Sequence, residues 1–159
     1  MKKLYYLLLA LPLAFFASCD NDDDLPEVDM SVEMSGGMIS DGIIYMVQGD
    51  TLSVESVSVK SLTDKPATAG ATTYFWDYRP AATVIAAPYT MEFDTALTPV
   101  GNHLMQIQTG VYQVDKTAAF VVLSYKVKVV ESAEEIPEGA TPMPEGPQAP
   151  SEGPSIKAQ

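Results

Sequence analysis

The sequence predicts an all-β domain, built as an antiparallel sandwich of about seven strands. Short segments of period-two alternation recur between turn signals, and no window shows the 3.6-residue apolar stripe of an amphipathic helix. From Ala119 to Val129, six apolar residues keep one phase, which is typical of a strand buried on one face. About one hundred residues carry this pattern, which is the size of one small domain.

The first 18 residues are expected to form a signal peptide. Lys2 and Lys3 make a basic start, and residues 4–16 form an apolar run that is too short to cross a bilayer comfortably. Two small residues, Ala17 and Ser18, then provide the kind of site at which leaders are cut.

Cys19 is the only cysteine of the chain, and it follows the leader directly. The segment Phe16-Ala17-Ser18-Cys19 resembles the lipobox of bacterial lipoproteins. The resemblance implies cleavage before Cys19 and acylation of its thiol and amino group with fatty acids such as palmitate. Two or more acyl chains make a durable membrane anchor. The alternatives are an ordinary cleavage site beside an unpaired thiol, or a small buried hydrophobe.

Residues 19–28 are expected to be an acidic linker between the anchor and the domain. Asp20 to Asp24 do not fit a calcium loop, because its sixth and twelfth positions would fall on Leu25 and Ser31. Acidic residues directly after the lipidated cysteine resemble the surface-export signal of lipoproteins in one large group of Gram-negative bacteria. That resemblance implies an outer-membrane protein facing the cell exterior, and a periplasm-facing anchor is the alternative.

The formal net charge of −12 is concentrated at the two ends of the chain. Residues 20–33 carry seven acids and no base, whereas residues 34–131 carry nine acids and six bases. A nucleic-acid partner would require a basic stripe, and this sequence has none.

Residues 29–131 are expected to form the sandwich, and its strands can be followed in order. Within one of them the alternation slips at Glu55-Ser56, which predicts a β-bulge. The predicted strands cover residues 30–34, 43–47, 52–59, 72–78, 89–94, 105–108 and 119–129.

Two segments resemble immunoglobulin-like and PKD-like domains. TTYFWDY, which contains Trp76, is similar to their central strand, and MEFDTALTPVGNHLMQIQTG is similar to their later strands. The resemblance covers roughly residues 28–130 and implies that Trp76 is buried between the sheets. We therefore expect Trp76, Tyr89 and Phe93 to form the core.

The aromatic residues of one strand allow a second interpretation. Tyr74, Trp76 and Tyr78 share one face, which would be a stacking platform for sugar rings if it were exposed. Large aromatic residues dominate sandwich cores, so the buried arrangement is favoured. Tyr78 and its neighbour Arg79, at the strand end, are the candidate ligand contacts.

The C-terminal residues 132–159 are expected to be a disordered tail. They are rich in proline, glycine and glutamate and have no apolar periodicity.

The sequence offers few candidates for catalytic residues or metal ligands, so we expect neither an enzyme nor a cofactor. His103 is the only histidine and shares the phase of Met105 and Ile107, which favours a structural role. A metal site needs several His or Cys ligands, and they are absent from the sequence. Glu92 and Asp94 alternate with predicted core residues, so they are expected on a solvated face.

Two functions remain, and they belong to different classes. The first is a surface-anchored binding or accessory module that contacts a glycan or an envelope protein, or another protein at the cell surface. The second is a structural subunit of a fimbria-like assembly, suggested by the long apolar strand from Thr117 to Val130, since sandwich edges can exchange strands. The oligomeric state is left open.

Overall fold

A computed structural model describes residues 24–158. The signal peptide, Cys19 and most of the acidic linker therefore lie outside the described residues. None of the helical turns within residues 24–158 has the length and apolarity of a membrane span.

Eleven strands make up the described chain, together with one 3₁₀ turn at Ala133–Glu135. The strands are β1 (Val28–Ser35), β2 (Met38–Ser40), β3 (Ile43–Val47), β4 (Thr51–Ser61), β5 (Ala67–Trp76), β6 (Arg79–Val84), β7 (Met91–Asp94), β8 (Gly101–Gln113), β9 (Ala119–Val130), β10 (Thr141–Pro142) and β11 (Glu152–Ala158).

The strands form two sheets, as predicted. The smaller sheet has the order β1-β4-β7, and the larger has the order β10-β2-β3-β9-β8-β5-β6, with β11 also paired to β9. This arrangement, with β1-β4-β7 facing β9-β8-β5-β6, is the strand order of immunoglobulin-like sandwiches. The prediction is wrong in two details. The strands number more than seven, and β3 pairs with β9 in parallel.

The predicted alternation places the core correctly. Every second residue of β9 from Ala119 to Val129 is at most 2% exposed, and Met105 and Ile107 of β8 are fully buried. Val32 and Leu52 face them from the smaller sheet. The bulge is confirmed as well, because Glu33 pairs with Ser56 and Met34 with Val54, so Glu55 is the extra residue.

The central aromatic residue of the core is Tyr74 rather than Trp76. Tyr74 is fully buried, and its hydroxyl donates a hydrogen bond to the carbonyl of Tyr89. Tyr89 and Phe93 are buried as predicted. Trp76 is only partly buried, because it is the last residue of β5 and lies at the end of the sandwich, where its ring packs against Phe93 at a centroid distance of 5.2 Å.

The C-terminal segment is packed against the sandwich, so the prediction of disorder is wrong for residues 132–158. Its β11 pairs with β9, and β10 pairs with β2. Gln148 is 6% exposed and links both sheets, because its N–H donates to the carbonyl of Val32 (2.8 Å) while Tyr125 donates to its carbonyl. Backbone and amide hydrogen bonds thus hold a segment that has little apolar surface to bury.

Candidate functional site

The candidate site begins at the tight turn between β5 and β6. Trp76 pairs with Arg79, and the two residues between them, Asp77 and Tyr78, have φ values of 49° and 64°. Positive φ at both central positions is the geometry of a type I′ hairpin turn, which glycine and asparagine normally fill. A tyrosine in this conformation is unusual. The turn holds the Tyr78 side chain out of the sandwich with 75% of its surface exposed.

His103 joins this turn to the neighbouring loop between β7 and β8. Its Nδ1 lies 2.7 Å from Oδ2 of Asp77, and its Nε2 lies 2.7 Å from the carbonyl oxygen of Pro99. The imidazole also stacks on Trp76, with ring centroids 5.4 Å apart. The side chain of His103 is therefore held by hydrogen bonds on both ring nitrogens, and only 8% of it is exposed.

Asp77 is held as a carboxylate by this arrangement. Burial by itself would raise the pKa of Asp77, but hydrogen bonds from His103 and from the N–H of Leu104, together with the charges of His103 and Arg79, lower that pKa below 3.8. The Leu104 N–H donates to Oδ1 of Asp77 over 2.9 Å. The turn that presents Tyr78 is thus fixed through its own first residue.

A groove of about 610 Å³ opens beside Tyr78 on the outer face of the larger sheet. Its floor includes the half-buried apolar residues Ile43 and Leu104. Its polar lining residues are Asp77, Asn102, His103, Gln106, Ser124, Lys126 and Glu152. Groups of this kind can hydrogen-bond a polar ligand while its apolar face rests on the floor.

A second depression, of about 230 Å³, lies on the other side of Tyr78. Phe75, Gln108, Val122 and Lys157 line it, and both depressions share Tyr78 and Gln106. The tyrosine ring therefore stands between two shallow depressions.

The strand register brings the polar residues of this face into one row. Phe75 pairs with Gln106, Gln106 with Ser124, and Ser124 with Glu152, across β5, β8, β9 and β11. Nε2 of Gln106 donates to the Ser124 hydroxyl over 3.2 Å. The alternation had placed Gln106 and Gln108 on the outer face, but the row itself follows from strand pairing between distant segments.

The two sequence-predicted contacts have different positions. Tyr78 lines both depressions, whereas Arg79 is exposed and is absent from the lining of either. Lys126 and Glu152 were missed. Lys126 alternates with apolar residues of β9 and so could have been recognised, but Glu152 lies in the segment that was expected to be disordered.

Both ring nitrogens of His103 already face hydrogen-bond acceptors, so the imidazole has no free nitrogen to act on a substrate. Residues 24–158 contain no group of three His, Cys, Asp or Glu side chains placed to hold a metal ion.

No protein-family model matches the sequence. No curated protein matches it. Among solved structures, the chain is similar to the fibronectin(III)-like modules of Clostridium thermocellum CbhA, with 19% identity and a TM-score of 0.38 over 64% of this chain and 94% of that chain. A likeness at this level says nothing about ligand or partner.

Proposed function

We propose that this protein is a non-enzymatic cell-surface lipoprotein that binds a glycan across Tyr78. Acyl chains on Cys19 anchor it in the outer membrane, and the immunoglobulin-like sandwich presents the ligand site. The observation that carries the binding function is the exposed ring of Tyr78 between two polar depressions that share Gln106.

The chemistry of this face supports a carbohydrate ligand. Sugar rings combine apolar C–H faces with hydroxyl groups, so they suit an aromatic ring flanked by amide, hydroxyl and charged side chains. Gln106, Asn102 and Ser124 supply neutral donors and acceptors, and Lys126 supplies a cation. The turn also fixes the backbone that carries the ring before the ligand arrives, which reduces the entropy cost of binding.

The direction of the chain supports presentation away from a membrane. The carbonyl of Asp24 accepts a hydrogen bond from the N–H of Thr117, and the N–H of Glu27 donates to Gln113, at the end of the sandwich opposite to Tyr78. Cys19 lies five residues before Asp24, which is at most about 18 Å of extended chain. His103 and Gln113 are separated by about 33 Å along β8. An anchor on Cys19 therefore leaves the site at the far end.

The alternative function, a strand-exchanging assembly subunit, loses the feature that suggested it. The long apolar strand β9 lies inside the larger sheet, with β8 along one edge and β3 and β11 along the other. Its length and apolar character are explained by that central position.

Binding is tested with the full-length lipidated protein in proteoliposomes, applied to an array of bacterial, plant and host glycans. We expect Tyr78→Ala to abolish the signal of the bound glycan and Tyr112→Ala to retain it. Tyr112 is the matched control because it is also an exposed tyrosine, 46% accessible, on β8 outside both depressions. An array without any bound glycan, or equal binding by both variants, contradicts the proposal.

The anchor is tested separately on cells that express wild type and Cys19→Ala. A membrane-impermeant label should react with wild type on intact cells, and wild type should fractionate with the outer membrane. The Cys19→Ala variant should be released or remain unprocessed. A soluble wild-type protein contradicts the anchor, and a membrane-bound but unlabelled one contradicts the surface location.

A further inference from the structure

His103 sits between two groups that can only accept hydrogen bonds. One is the carboxylate of Asp77 at Nδ1, and the other is the carbonyl oxygen of Pro99 at Nε2, both 2.7 Å away. A neutral imidazole carries one N–H and can donate to only one of them, whereas an imidazolium donates to both. The two contacts together therefore fit the protonated ring. Stacking on Trp76 also favours a cation, because an indole face attracts positive charge.

We propose that His103 is a proton-operated latch that fastens the β7–β8 loop, Thr95–Val100, to the turn that carries Tyr78. In its protonated form the ring bridges Asp77 and Pro99. When the proton leaves, the negative charge of Asp77 retains the remaining N–H at Nδ1, and the lone pair of Nε2 faces the Pro99 carbonyl. The contact with Pro99 is then lost and the loop is released.

Few side-chain contacts hold the loop, and His103 supplies the one at Pro99. At its beginning, Thr95 is buried and its hydroxyl donates within the sandwich, to the carbonyls of Val47 and Asp50. Beyond Thr95, the side-chain contacts to the loop are those of Asp94 with the Ala96 N–H, of Gln48 with the Thr98 carbonyl and of His103 with the Pro99 carbonyl. Leu97 is 97% exposed and contributes little packing.

The charges around the latch come from few residues. Residues 95–102 contain no ionisable side chain, so the loop itself supplies none. Asp77 contacts the ring directly, Arg79 follows on β6, and Lys126 of β9 and Glu152 of β11 face it across the groove, with Tyr78 beside it. Histidine is the side chain that ordinarily changes charge between about pH 5 and pH 8. A pH response of the loop within this range therefore points to His103.

This latch deepens the proposed function, since His103 and Asn102 line the groove. These two residues follow the loop closely in sequence, so release of the loop should shift them, and binding should be tighter at mildly acidic pH. The latch itself needs no ligand to be observed.

The test is nuclear magnetic resonance on the full-length lipidated chain in nanodiscs. At about pH 5.5, His103 should show two N–H groups, and at about pH 8 only the one at Nδ1. Over the same range the amide order parameters of Leu97 and Thr98 should fall from about 0.85 toward 0.6. A neutral ring at both pH values, a proton retained at Nε2, or unchanged order parameters would each overturn the latch.

Two variants separate the latch from other causes. His103→Gln should make the order parameters independent of pH, because an amide does not titrate. Asp94→Asn should keep the pH dependence, since Asp94 accepts from the N–H of Ala96 at the start of the same loop without touching His103. A pH response that survives in His103→Gln overturns the proposal. A working latch in a protein that binds no glycan would instead remove the binding function and leave the latch.

Discussion

The two ends of the sandwich are each fastened by one buried polar side chain of β8, but the chemistry of the two differs. At the near end, where the described chain begins, the Gln113 amide accepts from the N–H of Glu27 (2.7 Å) and donates to the hydroxyls of Ser61 and Thr63 (both 2.9 Å). At the far end, His103 bridges Asp77 and Pro99. An amide is a donor and an acceptor at every pH, whereas an imidazole can donate twice only when it is protonated.

The hydrogen bonds of Gln113 are therefore independent of pH, whereas the two contacts of His103 depend on protonation of its ring. The near end joins the incoming chain, the β4–β5 loop and the β8–β9 turn, and it has an ordinary structural task. The far end carries the exposed Tyr78 and the proposed ligand site. A fold can thus keep its framework insensitive to pH while making the site responsive, by placing two different residues at the two ends of one strand.

The largest expected effect is at the near end. Gln113→Ala leaves the Glu27 N–H without its acceptor and removes the amide that donates to the hydroxyls of Ser61 and Thr63, all in a part-buried position, so we expect a loss of about 2 kcal/mol in the free energy of unfolding. Urea denaturation measures it, and the loss should be equal at about pH 5.5 and pH 8 because no titrating group is removed. Gln108→Ala, at a half-exposed position on the outer face of the same strand, is the control and should change little. A loss that varies with pH would remove the contrast between the two ends.

A smaller effect of opposite sign is expected at the turn of the far end. Tyr78→Gly should raise the free energy of unfolding by about 1 kcal/mol, because glycine adopts positive φ without the steric cost that a tyrosine carries. Thermal unfolding measures this gain. Tyr78→Ala is the control, since it removes the ring but keeps a Cβ at positive φ. If Tyr78→Gly is destabilised, the ring contributes packing and is not merely held out for a ligand.

The smallest effect concerns the fall in the free energy of unfolding at acidic pH. The pKa of Asp77 is lower in the folded protein than its usual 3.8, so its contribution is fully present above about pH 4 and is lost as the pH falls through the folded value. Asp77→Asn should therefore remove part of the loss of stability below about pH 4, by less than about 1 kcal/mol because the carboxyl is partly exposed. Asp115→Asn, at an exposed aspartate of the near end, is the comparison. If the free energy of unfolding falls equally below about pH 4 in wild type and in Asp77→Asn, this account is contradicted.

The sandwich was predictable from sequence because its signal is local. In β8 and β9, side chains alternate between core and solvent, and that alternation can be recognised in the sequence without knowing which strands pair. The bulge at Glu55 could be recognised for the same reason. Tyr89 and Phe93 also followed from phase, since both lie on the face of their segment that meets the core.

Features that depend on pairing between distant segments could not be predicted from the sequence. Trp76 shares the inward phase of Tyr74, but only strand pairing shows that β5 ends there, at the edge of the core. The row from Phe75 to Glu152 on the outer face requires four strands to be aligned. The C-terminal segment has no periodicity because its hold on the sandwich is through main-chain groups and Gln148.

The packing of Gln148 has a consequence for the order of folding. Its contact with Met34 joins residues that are 114 positions apart, and β11 adds its strand to β9 only after residues 131–151 have crossed the sandwich. Contacts of such long sequence separation slow folding, because loop-closure entropy must be overcome before they form. A chain synthesised only as far as β9 could thus form its alternating strands, but the edge of β1 and one side of β9 would remain unpaired. We therefore expect completion of the domain to be a late event, and until then those edges are open to association with other chains.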